Sequence, residues 1–283
     1  AYGATHFSAR TLNWLHAFFG LGTTIGPLIV TSVLGAGLDW RWSYLLVGSA
    51  QGLLAAVFWW SRAGWQRLPT HAAGGDAPRV RAARARDTLR LPPVWLGMLT
   101  YFFYTGMEVT TAQWTYSLLT IGRDVPATTA GLMVSLYWGS MMVGRVLFGI
   151  VADRVPMVAT LRGCILASLV GALLLWLEPT RLLAFAGLML LGLGHAPVFA
   201  SLISLTPPRV GTAHADNAIG FQVAAAALGG ATLTALAGLA ARSAGLEVIG
   251  AAIVLFGVVL LGLYELLLGT GRRLVDGAGS GAA

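Results

Sequence analysis

Few side chains in this 283-residue chain can do chemistry, and those that can lie within apolar surroundings. Glu108 falls near the middle of the run from Val94 to Leu119, where an ionised carboxylate costs at least a few kcal/mol and needs a partner, a proton or water. Tyr101, Tyr104, Glu108, Thr111 and Thr115 recur at steps of three and four, which on a helix makes one polar face fit to line a cavity. His195 sits at mid-run in another apolar stretch, among Gly187, Gly192, Gly194 and Pro197, where it can bind a solute, relay a proton or bond to a neighbouring helix. Asn13 and His16 are three apart and share a face. Glu108 and His16 can equally serve as interhelical hydrogen-bonding residues. These groups suit the holding of a polar molecule and the exchange of protons. Bond-making machinery is missing: there is no His-Glu-x-x-His metal motif, no Gly-x-Ser-x-Gly elbow and no paired Asp within an apolar run. Cys164 is the single cysteine and lies inside an apolar run, so neither a disulfide framework nor a metal-ligand spacing exists, and no cofactor is expected.

The elements that must position these residues follow from composition. Apolar residues make up 57% of the chain and charged residues 10%, with a mean hydropathy of +0.75, beyond the range of an ordinary soluble domain. The expected fold class is all-α, a polytopic membrane protein. A net charge of +7 and a pI near 10.3 would suggest nucleic acid for a soluble chain, but here topology explains the charge and no nucleic-acid partner is expected. Crossing a bilayer takes about 20 residues at about 1.5 Å each. Eight runs qualify: 12–34, 44–60, 94–119, 129–151, 161–177, 182–205, 218–240 and 248–268.

All 18 basic residues are arginine. With loops assigned alternately, fourteen of them fall on one side, among them the seven between Ser61 and Leu91. Only Arg41, Arg123, Arg181 and Arg242 fall on the other. The positive-inside rule makes the first side cytoplasmic, with both ends of the chain inside and the lipid bilayer as constant partner. Residues 62–91 carry those seven arginines, with Gly74, Gly75, Pro69 and Pro78, the composition of a flexible cytoplasmic linker able to touch anionic headgroups. Trp40-Arg41-Trp42 reads as an interfacial anchor. Small residues spaced by four, Gly22 and Gly26 in the first run and Gly230, Thr234 and Gly238 in the seventh, predict faces for close helix packing.

Where the fourth run ends, Gly144-Arg145-Val146-Leu147-Phe148-Gly149-Ile150-Val151-Ala152-Asp153-Arg154 combines two glycines five apart with clustered charges at a tight turn. Such charges can pin two helices in one state and release them in another, or form a static turn. The pattern resembles the loop between the eighth and ninth helices of major facilitator superfamily transporters, although Val155-Pro156-Met157 replaces the Gly-Arg-Arg element that follows there. The resemblance assigns gating to Gly144, Arg145, Gly149, Asp153 and Arg154.

Other stretches extend the likeness. The run from Leu12 to Pro27, with its Gly-Pro pair, is similar to the fifth helix of that superfamily, in particular of its fucose/glucose symporter-like branch. Tyr104 to Trp114, with Gly-x-Glu followed by a Trp, resembles the seventh helix, and Gly192 to Phe199 the tenth. In those terms the chain is helices five to twelve of a twelve-helix fold, with the first four absent. Residues 1–61 are the last two helices of the front half, 62–91 the linker, 92–276 the rear six-helix half and 277–283 a disordered tail. Position 1 is Ala and nothing resembles a signal peptide, so the chain is expected to be cut or to be a fragment.

The resemblance implies a secondary transporter that moves a small polar solute across the inner (plasma) membrane by alternating access, sugar-like solutes favoured and a proton as a further partner. Its solute site would draw on Asn13, His16, Glu108, Gln113, Trp114, His195 and Gln222. On an ideal helix Gln113 and Trp114 do not share the face of Glu108; they join it only if the helix breaks near Gly106 or Thr110. Efflux of drugs or metabolites, and a non-transporting remnant or scaffold, are the other expectations.

Overall fold

The computed structural model describes residues 9–65, 83–151, 154–178 and 180–279, and their side chains apart from those of 9–19, 63, 65 and 271–279. Each of the eight apolar runs forms helix. The elements in order are α1 (Ala9–Gly35), α2 (Arg41–Trp65), the short α3 (Ala85–Thr88), α4 (Pro92–Ser117) with a π-helical last turn (Leu118–Gly122), α5 (Ala127–Val151) and α6 (Met157–Leu177). They continue with α7 (Arg181–His195), α8 (Val198–Ser204), α9 (Thr206–Val210), α10 (Thr212–Ala244) and α11 (Val248–Gly279). Six of the membrane-length helices, counting α7 and α8 as one, are long and apolar enough to cross a bilayer; α1 and α4 complete the expected eight. The polar face of α4 lowers its mean hydropathy, and the apolar stretch described in α1 covers only Gly20–Gly35. Helix α11 runs to Gly279, three residues into the stretch expected as a tail.

Chain breakers set the boundaries. Prolines open α4 and α9, where a missing N–H costs nothing. Gly211 (φ 82°) and Gly245 (φ 83°) bracket α10 in a left-handed conformation that a side chain would strain. Helix α6 ends on Glu178, itself at φ 41°.

Helices α4, α11, α6, α7 and α5 form a closed group, each packed on the next. Helix α10 lies along the outside of α4, α1 along the outside of α5, and α2 touches little but α1. The core holds Tyr101, Tyr104 and Met107 of α4, Tyr137 and Met141 of α5, and Leu188 and Leu191 of α7, all sealed from solvent. Leucine, valine and tryptophan crowd the exposed surfaces of α2 and α5, as suits a lipid-facing exterior. Helices α6 and α7 touch backbone to backbone: a methyl group at Gly171 would lie 2.5 Å from the Gly187 carbonyl oxygen. In α10, Gly230 and Gly238 do face α4, against Val109 and the Trp114 ring. The first run packs differently from expectation. Gly22 and Gly26 face open space, and the contact with α5 is made instead by Gly20 on Met142 and Thr31 on Gly131. Room at those two positions is set by which face α1 turns to α5, which glycine spacing alone does not fix.

Charged staples hold the two ends. On the side of the α4–α5 turn, Arg123 is 4% exposed in its side chain and serves three segments. It binds both carboxylate oxygens of Glu247 at the start of α11 (2.7 and 2.6 Å), donates to the carbonyls of Leu175 (2.8 Å) and Trp176 (3.2 Å) at the end of α6, and lies 2.9 Å from Glu178. Burial works against the guanidinium charge, but the hydrogen bonds and charge of Glu247 and the charge of Glu178 outweigh it and hold the pKa above the usual arginine value. At the opposite end, Arg162 of α6 makes a two-armed pair with Glu265 of α11, one arm at 2.7 Å. There too the residues leading into and through α3 dock on α10. Ala83 donates to the Ala213 carbonyl (2.9 Å) and accepts from Asn217 (2.8 Å), while the Thr88 hydroxyl lies 2.9 Å from His214 Nδ1.

Candidate functional site

The helix made by the sixth apolar run is interrupted at Ala196 and Pro197. Proline has no N–H to give the Leu193 carbonyl, and Ala196 N–H covers for it, reaching both Gly192 (3.2 Å) and Leu193 (3.3 Å). His195 is the last residue before the break and is fully buried. Its backbone carbonyl accepts from the Tyr104 hydroxyl of α4 (3.1 Å), and its Nδ1 lies 3.0 Å from the Tyr137 hydroxyl of α5. Tyr137 also donates to the Glu108 carbonyl at 3.4 Å. The other ring nitrogen, Nε2, has no hydrogen-bond partner among the described residues. Three helices are thus knotted at one level, with an unused imidazole nitrogen at the centre.

Glu108 is half-buried beside this knot, next to the Tyr104 hydroxyl. Arg145 of α5 is close enough for its charge to act on Glu108, His195, Tyr104 and Tyr137 alike. The preceding residue explains the placement: Gly144 is pressed against Leu193 and Ala196 at the break, so Arg145 leaves α5 at that depth. Six residues of helix separate Arg145 from the end of α5, roughly 9 Å at 1.5 Å per residue. Arg145 is therefore inside the span and not at its mouth. It belongs with the polar cluster as well as with the turn that the sequence suggested.

The remaining expected residues go elsewhere. Helix α4 is continuous through Gly106 and Thr110, so Gln113 and Trp114 stay off the face of Glu108. They line an open groove of about 550 Å³ against α10, with Val109, Gly230 and Thr234. There the Trp114 indole N–H donates to the Thr234 carbonyl (3.1 Å), and Thr110 and Thr234 share a hydrogen bond (3.1 Å). Gln222 is buried away from the cluster, accepting from Thr206 (3.0 Å) and lying against Gly97. Asn13 and His16 fall in α1, but their side chains lie outside the described residues, as does Asp153. Gly149 faces open space, so close helix approach rests on Gly144 alone; Arg154 is exposed at the turn into α6. Sequence reasoning passed over Tyr137. It lies two turns before Arg145 on the same face of α5, a spacing that would have marked both. Among the described residues, no cluster of three or more His, Cys, Asp or Glu could hold a metal ion.

A cluster of this kind, at a helix break between membrane spans, can hold a polar molecule by hydrogen bonds and charge. Known proteins place it in context. Residues 5–234 match the sequence profile of the Major Facilitator Superfamily. Bypass of stop codon protein 6 of Saccharomyces cerevisiae is 27% identical over an alignment of 193 residues that covers 62% of this chain and 38% of the yeast protein. The fold is similar to the crystal structure of a bacterial homologue of the human lysosomal transporter Spinster, captured inward-facing and unoccupied. The TM-score is 0.56 at 16% identity, over 93% of this chain and 65% of that one. The chain thus spans less than two thirds of the length of either relative. That superfamily is one of multi-pass membrane transporters. This chain belongs to the Major Facilitator Superfamily.

Proposed function

We propose that the chain forms the solute-handling part of a secondary transporter that moves a small polar solute by alternating access, with a site built around Glu108, His195, Tyr104, Tyr137 and Arg145. The convergence of polar side chains from α4, α5 and α7 on the break after His195 supports this reading best. Broken helices at half depth are where carriers expose backbone and side chains to a solute. The eight spans correspond in this reading to helices five to twelve of the fold, in the fucose/glucose symporter-like branch. Residues 1–61 close the front half, 62–91 link the halves and 92–276 form the rear half. The solute is sugar-like, its movement is coupled to protons, and both ends of the chain face the cytoplasm across the inner (plasma) membrane. Asn13 and His16 supply the front wall of the site. The charged turn from Gly144 to Arg154 locks one of the two access states.

Uptake into proteoliposomes holding the full-length protein tests this directly. Labelled D-glucose, L-fucose and D-glucuronate are offered with and without an imposed pH gradient. The expected result is gradient-driven accumulation of one of them, slowed by about tenfold or more in Glu108→Gln, the loss expected when a hydrogen-bonded charge is removed from a buried site. An unchanged rate and affinity in that variant removes Glu108 from the site.

A further inference from the structure

Arg145 is the cation of a membrane span, half-buried, and among the described residues it makes no hydrogen bond or ion pair. Among the described residues, the arginines that staple the membrane ends are matched by carboxylates, Arg123 by Glu247 and Glu178 and Arg162 by Glu265, whereas the half-buried Arg209 of α9, like Arg145, has no ion pair. Glu108 acts on Arg145 through space but stands beyond ion-pair distance. A guanidinium left over inside a membrane span is costly unless it finds an anion or water, and its planar fork of donors matches a carboxylate in two-armed fashion. Its surroundings are those of a binding site. The Nε2 atom of the fully buried His195 is unpartnered, and the Tyr104 and Tyr137 hydroxyls that fix His195 stand within reach of the Arg145 charge.

From this geometry we propose that the transported solute bears a carboxylate, which Arg145 takes while His195 Nε2 and the half-buried Glu108 meet its polar remainder. This rests on the transporter reading above and narrows it: the sugar-like solute is a sugar acid or comparable hydroxy acid. Arg145 is then a specificity-determining residue of the site, beyond any part it plays in the turn after α5.

The test asks whether the charge of Arg145 is felt where the solute would sit, and needs no knowledge of the solute. In full-length protein carrying Cys164→Ser and cleared of any other cysteine, a thiol is placed by Glu108→Cys. It is labelled in membranes with two water-soluble methanethiosulfonates of similar size, one an anionic sulfonate and one a cationic trimethylammonium. The ratio of the two rates is divided by the ratio for a free thiol in solution. The anionic reagent is expected to be favoured, with the normalised ratio falling by about tenfold or more in Arg145→Gln and holding in Arg145→Lys. A unit charge a few Å away in partly hydrated protein changes local ion concentrations by that order. A normalised ratio at or below one in the Arg145 protein overturns the proposal, and that measurement needs no folded Arg145 variant. So does a ratio that Arg145→Gln leaves unchanged; in both cases the transporter reading survives. Failure of both reagents to react at position 108 overturns the transporter reading itself, and this proposal with it.

Discussion

The Tyr137 hydroxyl lies 3.0 Å from Nδ1 of His195, tying α5 to the residue at which α7 breaks. With one ring nitrogen held, the imidazole has a fixed orientation and presents Nε2 to whatever enters. Removing the hydroxyl frees the ring without opening a large void. Tyr137→Phe is expected to cost about 1 kcal/mol of stability, and a double-mutant cycle with His195→Ala to show coupling of about 1 kcal/mol. Detergent-induced unfolding of the purified protein measures both. Strict additivity of the two changes would show that the bond contributes nothing.

Arg123 and Arg162 make similar-looking pairs in different surroundings. Arg123 is sealed in and serves Glu247, Glu178 and two helix-end carbonyls, whereas the Arg162 and Glu265 side chains are 43% and 42% exposed. Arg123→Gln strands buried acceptors and is expected to destabilise the fold by about 3 kcal/mol. Arg162→Gln is expected to change the unfolding midpoint little. Equal effects of the two substitutions would mean that burial does not set the worth of the pair.

Gly171 and Gly149 separate close packing from open surface. A methyl group at 171 would meet the Gly187 carbonyl oxygen at 2.5 Å and the Leu191 nitrogen at 2.8 Å, atoms that cannot swing aside. Gly171→Ala should therefore cost about 2 kcal/mol or more. Gly149→Ala, with nothing in range, should be neutral or stabilise its exposed stretch of α5 by up to about 1 kcal/mol through helix propensity. Thermal unfolding in detergent ranks them, and the reverse order would contradict the packing of α6 on α7.

Asn217 holds the segment around α3 by donating to Ala83 (2.8 Å) and Thr88 (3.3 Å). Without that amide the segment opens more often. Asn217→Ala should speed tryptic cleavage after Arg84 by about fivefold, the rate following the population of the opened form. Cleavage at an unaltered rate would show that the docked segment does not depend on this contact.

Much of the fold was legible because lipid imposes simple rules. Long apolar runs must become helices, and all eight did. Pro197, visible beside His195 in the sixth run, stands at the break itself, and Glu108 and His195 stood out by their cost in hydrocarbon. Gln113 and Trp114 were a harder matter, since a shared site needed a break in α4 that the helix does not have. Gln222 is consumed in holding α9 and α4 together, a use that depends on the neighbour α10 meets there. Arg145 looked like a boundary charge because it stands where the charged Gly144–Arg154 stretch begins, yet α5 continues to Val151 and draws it inward. Arg123 gave no local signal at all: its partners lie some fifty and more than a hundred residues away along the chain. Charges whose role comes from distant partners are the part that pattern reading does not reach.

Whether water reaches the knot of α4, α5 and α7 is the most direct question. With Cys164→Ser and no other cysteine as background, single cysteines are introduced by Glu108→Cys and, as a lipid-facing comparison, Leu239→Cys, which replaces a leucine 59% exposed on α10. A membrane-impermeant thiol reagent is applied to intact cells and to inverted vesicles. Position 108 should react from at least one side, and position 239 from neither. No reaction at 108 from either side would mean that no aqueous pocket exists there, and a carrier site at His195 and Glu108 would be excluded.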